Sequence, residues 1–190
     1  MPRLDPGVSY FLEILMGMLS LELLSQFADG DTFVETGTYK GDTVQVALNY
    51  GFKNIHSIEL NRELFEECAK RFIDQKIVKI WHGESQDNLK NILKTVNGQA
   101  TFWLDAHASG PLPGGRFGGS PLVQEIKMIG EHHIKNHILI IDDCRLFGSE
   151  EWSGLKKEQV VDAILDINYK YRITYVDGEI PGDIMIARVI

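Results

Sequence analysis

The sequence predicts a doubly wound α/β fold in which a seven-stranded sheet is mostly parallel and ends in an antiparallel hairpin. Its β-rich segments alternate with amphipathic helical segments, and this alternation is typical of a parallel sheet with helices on both faces. The last two predicted strands have no helix between them, which indicates the hairpin. The chain has 190 residues, of which 44% are hydrophobic and 24% are charged, so it is long enough for one substantial core.

An amphipathic helix is predicted first, over residues 9–28. Glu13 and Glu22 interrupt its apolar run, so the segment is too charged for a membrane helix and lacks the pattern of a signal peptide. We expect this helix to pack on the main domain, and packing on a partner subunit in a homodimer is the alternative. Residues 1–30 are accordingly predicted to be a helical extension of a domain that spans residues 31–190.

Seven strands are then predicted, and each of the first five is followed by a helix. The strands cover residues 31–37, 54–60, 77–81, 101–106, 137–142, 172–176 and 183–190. The helix after the second strand shows the clearest pattern, because apolar residues recur at helical spacing from Leu64 to Ile73 and Asn61 can cap its start. Residues 107–121 form a long loop rich in glycine and proline, and a loop of that length is usually functional or disordered.

The charge balance argues against nucleic acid and anionic membranes as partners. The chain carries 19 Lys and Arg residues against 27 Asp and Glu residues, a net charge of -8, with no Lys/Arg-rich run, whereas proteins that bind phosphate backbones usually have a basic face. The two cysteines, Cys68 and Cys144, lie far apart and fit the reducing cytoplasm better than a disulfide framework. We expect both thiols to fill the core, with a reactive thiol as the alternative.

The turn after the first strand is the first candidate for ligand binding. Residues 35–43 read ETGTYKGDT, where Gly37 permits a tight turn and Gly41 lets the helix begin close to the strand. The start of that helix offers free backbone N–H groups to a carboxylate or a phosphate. The pattern is not GxGxxG, because Tyr39 stands where another glycine would be, and an ordinary β–α turn is the alternative.

The ends of the second and third strands carry the next candidates. Glu59 lies about 20 residues beyond Gly37, and an acidic side chain at that place commonly accepts the hydroxyl groups of a ribose. Gly83, Glu84 and Ser85 follow the third strand, beside the position of an adenine, and the two polar side chains can meet the edge of its ring. The alternatives are a solvated carboxylate at the second strand and a plain helix cap at the third.

Three aspartates end the fourth and fifth strands. Asp105, Asp142 and Asp143 are expected at the same edge as Glu35 and Glu59, where their charges repel one another unless something positive binds. A hard divalent cation such as Mg²⁺ is the simplest answer. Adjacent residues on a strand point in different directions, so Asp142 and Asp143 can both bind only if the strand has ended, and a turn-capping aspartate is the alternative.

Several nearby residues are weaker candidates. His107 lies two residues past Asp105 and suits a general base near neutral pH. Glu125 can supplement the metal ligands, although a position on a solvated helix face is favoured. Four aromatic residues can either wall a pocket or belong to the core, namely Trp103, Phe117, Phe147 and Trp152.

Together these residues resemble a class I S-adenosylmethionine (SAM) dependent methyltransferase over residues 31–190. The resemblance implies a Rossmann-like methyltransferase sheet with SAM as cofactor. In that family the first motif contacts the methionine part, an acid after the second strand binds the ribose, a motif after the third strand lies beside the adenine, and an acid after the fourth strand closes the site. The implied cofactor-binding residues are Glu35, Thr36, Gly37, Thr38, Gly41, Thr43, Glu59, Gly83, Glu84, Ser85 and Asp105.

Within that class the acidic residues resemble those of the metal-dependent sugar O-methyltransferases of the macrocin type. The likeness implies that Asp105, Asp142 and Asp143 hold magnesium. It also implies that His107 and Asp105 are catalytic and that the acceptor is a small molecule such as a sugar or polyol. The chain departs from the family at Tyr39, which replaces the middle glycine of the commoner SAM loop, and it largely lacks the substrate-recruiting insertions of the macrolide enzymes.

The predicted function is therefore methyl transfer from SAM to a hydroxyl of a small molecule, aided by a divalent metal, in the cytoplasm. A non-catalytic SAM-binding or assembly module is the alternative. A nicotinamide oxidoreductase is disfavoured by the missing GxGxxG. A metal-dependent hydrolase leaves residues 35–41 without a role.

Overall fold

The structure, a computed structural model, describes residues 19–105, 120–150 and 152–190. The strands are β1 (Thr32–Thr36), β2 (Asn54–Glu59), β3 (Val78–His82), β4 (Ala100–Leu104), β5 (Ile138–Ile141), β6 (Tyr171–Val176) and β7 (Ile184–Val189). The helices are α1 (Leu21–Phe27), α2 (Asp42–Tyr50), α3 (Arg62–Arg71), α4 (Ser85–Leu93), α5 (Leu122–Glu131) and α6 (Lys157–Ile167), with a short 3₁₀ helix at Cys144–Leu146.

The strands form a single sheet in the order β3-β2-β1-β4-β5-β7-β6. Strands β1 to β5 are parallel to their neighbours, whereas β7 runs antiparallel to both β5 and β6. The predicted fold class is confirmed, including the hairpin. The strand order reverses between β1 and β4, and open α/β sheets bind ligands in the crevice that such a reversal leaves at their carboxyl edge.

Helices cover both faces of the sheet because its central strands are apolar on both sides. Phe33 of β1 packs in a cluster with α1 and α2, whereas its neighbour Val34 packs in a second cluster with α4, α5 and α6. All four residues of β5 are buried, as its continuous apolar run predicts. Trp103 and Trp152 are buried in these clusters, so both are core aromatics, and Phe147 packs against the second cluster.

Helix α1 is the described part of the amphipathic segment predicted at residues 9–28. Ser20 caps it by accepting a hydrogen bond from the N–H of Leu23 at 3.1 Å. Its buried residues Leu23, Leu24 and Phe27 share a cluster with β1, α2 and β7. The described part of the helix therefore packs on the sheet, while the boundary at residue 30 and the homodimer stay predictions. No helix within the described ranges is long and apolar enough to cross a bilayer.

Helix α3 begins where the sequence predicts, but it buries less than predicted. The side chain of Asn61 accepts hydrogen bonds from the backbone N–H groups of Glu63 and Leu64. Of the predicted apolar stripe, Cys68 and Phe72 are buried, whereas Ile73 is 77% exposed. The reason is position, because α3 packs mainly beside β3, the edge strand, whose own residues are only partly covered.

Both cysteines are free thiols. Burial raises the pKa of Cys68 to about 11 and that of Cys144 to about 12. Because the thiolate is the reactive form, these environments favour packing roles over a reactive thiol.

Candidate active site

The loop between β1 and α2 has the tight geometry that its glycines predict. Gly37 has a φ of 92° and Gly41 a φ of 79°, and the backbone N–H groups of Gly37 and Thr38 both donate to the carbonyl oxygen of Ile58. A Cβ atom at Gly41 would lie 2.7 Å from the ring of Phe72. The glycine therefore allows the start of α2 to approach α3 closely.

Tyr39 has the backbone conformation of the glycine that the sequence lacks. Its φ is 48°, in the left-handed region that strains residues with a Cβ. Its backbone groups are held from two sides, since the N–H donates to Oε2 of Glu59 at 2.8 Å and the carbonyl oxygen accepts from Sγ of Cys68 at 3.1 Å. Arg71 fixes the next residues, because its guanidinium donates to the carbonyl of Lys40 and to the carboxylate of Asp42.

Glu59 ends β2 and is 7% exposed. Its Oε2 accepts the N–H of Tyr39, and its Oε1 accepts the N–H of Asn61 at 2.7 Å. A carboxylate oxygen has two acceptor sites, so each oxygen keeps capacity for one further donor such as a ribose hydroxyl. Leu60, directly after it, is 57% exposed and offers apolar surface at the same edge, a feature that the sequence reasoning missed.

Glu35 is fully buried beneath this loop. The hydroxyl of Ser57 donates to its Oε2, and the side chain of Thr43 lies near enough to the carboxyl group to lower its pKa. Its Oε1 has no hydrogen-bond partner among the described residues. Burial raises the pKa of Glu35 to about 8, and the charges of Asp105 and Glu59 act in the same direction. Such a carboxyl suits a ligand that brings a positive charge or a hydrogen-bond donor.

The start of α4 differs by one residue from the prediction. Glu84 occupies the N-cap position without a side-chain cap, and Ser85 is the first helical residue. Gly83 has a φ of 118°, and its N–H donates to the carbonyl of Glu59 at 2.9 Å. This bond joins the predicted adenine side of the site to the predicted ribose side.

Glu125 corrects the prediction of a solvated helix face, because the structure buries it completely. The hydroxyl of Thr36 donates to its Oε2 at 3.2 Å, and the side chain of Ser85 lies near enough to the carboxyl group to lower its pKa. Burial raises its pKa to about 7, with a smaller contribution from the charge of Asp105. The burial of Glu125 could have been predicted from its spacing, because position 125 lies on the same helix face as the buried Leu122 and Ile129.

The end of β5 forms a second acidic group. The strand ends at Ile141, and Asp143 has a φ of 57°. Both aspartates therefore lie beyond the strand, which is the condition for the two side chains to bind one ion. Asp142 and Asp143 lie with Asp183 so that one carboxylate oxygen from each is within 4.8 Å of the others. Asp183, from the turn between β6 and β7, was missed by the sequence reasoning.

Arg145 already places a positive charge on part of this group. Its guanidinium donates to Oδ1 of Asp143 at 2.6 Å, and it also pairs with Asp183 and Glu179. Asp142 has a different environment, because burial raises its pKa to about 8 and the charges of Asp105 and Asp143 raise it further. Asp142 is therefore the member of the group that a further cation would stabilise most.

Asp105 lies at the centre of these carboxyl groups. Its backbone N–H donates to the carbonyl of Thr36 at 3.2 Å, which sets it at the crevice between β1 and β4. Its negative charge contributes to the raised pKa of Glu35, of Glu125 and of Asp142. The predicted convergence of acids at one edge is thus present, whereas His107, Phe117 and most of the long loop at residues 107–121 lie outside the described residues.

Comparison of the sequence with protein-family models and with curated proteins finds no match. Comparison of the structure with solved structures finds several methyltransferases. The O-methyltransferase from Bacillus cereus, in complex with S-adenosylhomocysteine (SAH), is 13% identical over 99% of this chain and 83% of that chain, with a TM-score of 0.57. The SAH-bound Podospora anserina methyltransferase PaMTH1 is 14% identical over 84% and 72%, with a TM-score of 0.54. Streptomyces venezuelae DesVI is 9% identical over 100% of both chains, with a TM-score of 0.59.

This chain has the class I methyltransferase fold. The loop after β1 and Asp105 flank the crevice where the strand order reverses. The sequence-predicted residues from Glu35 to Ser85 lie at or just after the ends of β1, β2 and β3, and the charge of Asp105 contributes to the raised pKa of Asp142. Asp143, next to Asp142 in the chain, forms an ion pair with Arg145.

Proposed function

We propose that this chain is a SAM-dependent methyltransferase that transfers a methyl group to a hydroxyl of a small molecule. The observation that carries the proposal is the buried Glu35, whose Oε1 has no hydrogen-bond partner in the part of the chain that the structure describes, at the crevice of a methyltransferase fold. SAM carries an ammonium group and a sulfonium, and either relieves the unfavourable burial of a carboxylate. The SAH bound to two of the structural neighbours supports the same cofactor class.

The described residues fit the parts of this cofactor. Glu35 suits the methionine ammonium group, since it has an unpartnered oxygen. Glu59 suits the ribose, because both of its oxygens keep acceptor capacity. The exposed side chain of Leu60 suits a face of the adenine, and Glu84 lies at the start of α4 near its edge.

The cofactor supplies an activated methyl group, so the chain has to align the acceptor and remove its proton. Alignment of two reactants in one site accounts for a large part of such catalysis. We propose His107 as the base, since an imidazole titrates near neutral pH, with Asp105 beside it in the chain. A sugar or polyol is the proposed acceptor, because its neighbouring hydroxyls suit the acidic edge of the site.

A divalent cation fits this edge in part. Asp105, Asp142 and Asp143 would hold it, and it would orient two acceptor oxygens and lower the pKa of the attacking hydroxyl. The raised pKa of Asp142 supports a cation there. Asp143 would have to share its carboxylate between that ion and Arg145.

Cofactor binding tests the proposal directly. We expect wild-type protein to bind SAH in calorimetry and Glu59→Ala to bind it at least about tenfold more weakly, because a hydrogen bond to a charged group contributes about 1.5–3 kcal/mol. Asp166→Asn, a change at an exposed position of α6, is the matched control and should leave the affinity unchanged.

Two results would count against the proposal. Wild-type protein that binds neither SAM nor SAH would remove the cofactor assignment. Protein that binds both but methylates no member of a panel of sugars, polyols and catechols, with and without Mg²⁺, would favour the non-catalytic SAM-binding module.

A further inference from the structure

Glu125 is a buried carboxyl to which the proposed function gives no role. Its Oε2 accepts a hydrogen bond from the hydroxyl of Thr36 at 3.2 Å, and the side chain of Ser85 lies near enough to the carboxyl group to lower its pKa. Its Oε1 has no hydrogen-bond partner among the described residues. The side chain therefore joins two polar residues while leaving part of its own hydrogen-bonding capacity unused.

Stability of the fold does not explain a carboxyl at this position. The neighbouring positions on the same face of α5 are the buried apolar residues Leu122, Ile126 and Ile129. An unpartnered buried oxygen and a nearby carboxylate, Asp105, both disfavour the folded state. A well-packed apolar side chain avoids both penalties. A local loss of stability of this kind is typical of positions that serve function.

The two partners of Glu125 lie on two sides of the crevice. Thr36 ends β1 just before the loop proposed for the methionine part, and its carbonyl accepts the N–H of Asp105. Ser85 begins α4 just after Gly83 and Glu84, on the side proposed for the adenine. Glu125 thus lies between the end of β1 and the start of α4. Its own helix, α5, forms neither of these two sides of the crevice.

We propose that Glu125 is a positioning residue, whose carboxyl group binds the hydroxyl of Thr36 and lies beside Ser85, so that the end of β1 and the start of α4 keep the spacing that an adenosyl cofactor requires. The inference rests on the proposed function. It assigns the residue no contact with the cofactor, so its effect on binding passes through the end of β1 and the start of α4.

Two variants of Glu125 separate positioning from a merely structural role. Glu125→Leu should retain or raise the unfolding temperature, because it removes a buried carboxyl from an apolar face, yet it should weaken SAH binding at least about tenfold. Glu125→Gln keeps an amide oxygen that accepts a hydroxyl and should recover most of that loss. Glu131→Gln, at an exposed position of the same helix, is the control. Thermal unfolding and calorimetry with SAH supply the two readouts.

The outcomes distinguish this inference from the proposed function. Wild-type protein that fails to bind SAH would remove the proposed function and this inference with it. Wild-type binding that is equal in the Leu variant would overturn this inference alone. A Gln variant that folds like wild type but binds as weakly as the Leu variant would also overturn it, because hydroxyl acceptance would then not be what matters.

Discussion

Two groups of carboxyls at the same sheet edge differ in how their charge is balanced. Asp143, Asp183 and Glu179 surround the guanidinium of Arg145. Glu35, Glu125 and Asp142 are buried, and the described part of the chain shows no ion pair to them; burial raises the pKa of each. The first group carries its own cation, whereas the described residues supply no cation to the second.

The difference separates acids that hold the fold from acids that suit a ligand. Arg145 and Asp183 connect the end of β5 to the turn between β6 and β7, because the backbone N–H of Arg145 also donates to Oδ1 of Asp183 at 2.9 Å. Within that group Arg145 balances the charge of Asp183 and part of the charge of Asp143. Among the described residues, Glu35 and Glu125 each have an oxygen without a hydrogen-bond partner. The proposed ligand would meet the oxygen of Glu35, whereas Glu125 is proposed to position Thr36 and Ser85.

The largest expected effect comes from removing the internal cation. Arg145→Ala leaves the fully buried carboxylate of Asp183 without its guanidinium, and breaking a buried ion pair typically destabilises a protein by about 3–5 kcal/mol. Urea denaturation monitored by circular dichroism should show this loss. Arg62→Ala, which removes an exposed pair with Glu66, is the control and should cost no more than about 0.5 kcal/mol.

A small effect of Arg145→Ala would contradict the comparison. It would mean that the two acidic groups do not differ in how their charge is balanced.

The next effect is a gain of stability in the second group. The pKa of Asp142 is about 8 in the folded chain, whereas that of an ordinary aspartate is 3.8, so the folded state binds more protons than the unfolded state between those pH values. The free energy of unfolding contributed by Asp142 therefore falls as pH rises through that window. Asp142→Asn removes this dependence and should stabilise the chain by about 1–3 kcal/mol at pH 8.5.

Denaturation at several pH values checks this prediction. The difference between Asp142→Asn and wild type should be small near pH 4 and should widen as the pH increases. A variant that is less stable than wild type at pH 8.5 would show that Asp142 is charged and compensated in the folded chain.

The smallest effect concerns the divalent cation. Millimolar Mg²⁺ at pH 8 should raise the free energy of unfolding of wild-type protein by about 1 kcal/mol, by mass action at Asp142, and should leave Asp142→Asn unchanged. Thermal unfolding with Mg²⁺, with EDTA and with NaCl at matched ionic strength measures this. Equal unfolding temperatures of wild type in all three would discard the metal and leave the fold and the cofactor proposal in place.

Local patterns in the sequence were sufficient for the fold and for the turn after β1. The alternation of strand and helix patterns depends on neighbouring residues, as does the cap at Asn61, and both agree with the structure. Gly37 and Gly41 have the positive φ angles that a tight turn requires. The conformation of Tyr39 also follows, since it occupies the place of the missing glycine.

The features that were missed depend on distant parts of the chain. Asp183 meets Asp143 only because β7 inserts beside β5, which no local pattern encodes. Glu125 was assigned to solvent from its charge, although its spacing to Leu122 and Ile129 placed it on the apolar face. Ile73 fits a helical stripe, but its exposure is decided by the edge position of β3.

The placement of β7 has a consequence for synthesis on the ribosome. Strand β7 follows β6 in the chain but lies between β5 and β6, so β6 cannot join the sheet until residues 184–189 have emerged. Until then the nascent chain presents the unpaired, wholly apolar edge of β5 (Ile138–Ile141), and open edges of this kind invite pairing with other chains. Pairing of β7 with β5 is therefore the step that removes this open edge.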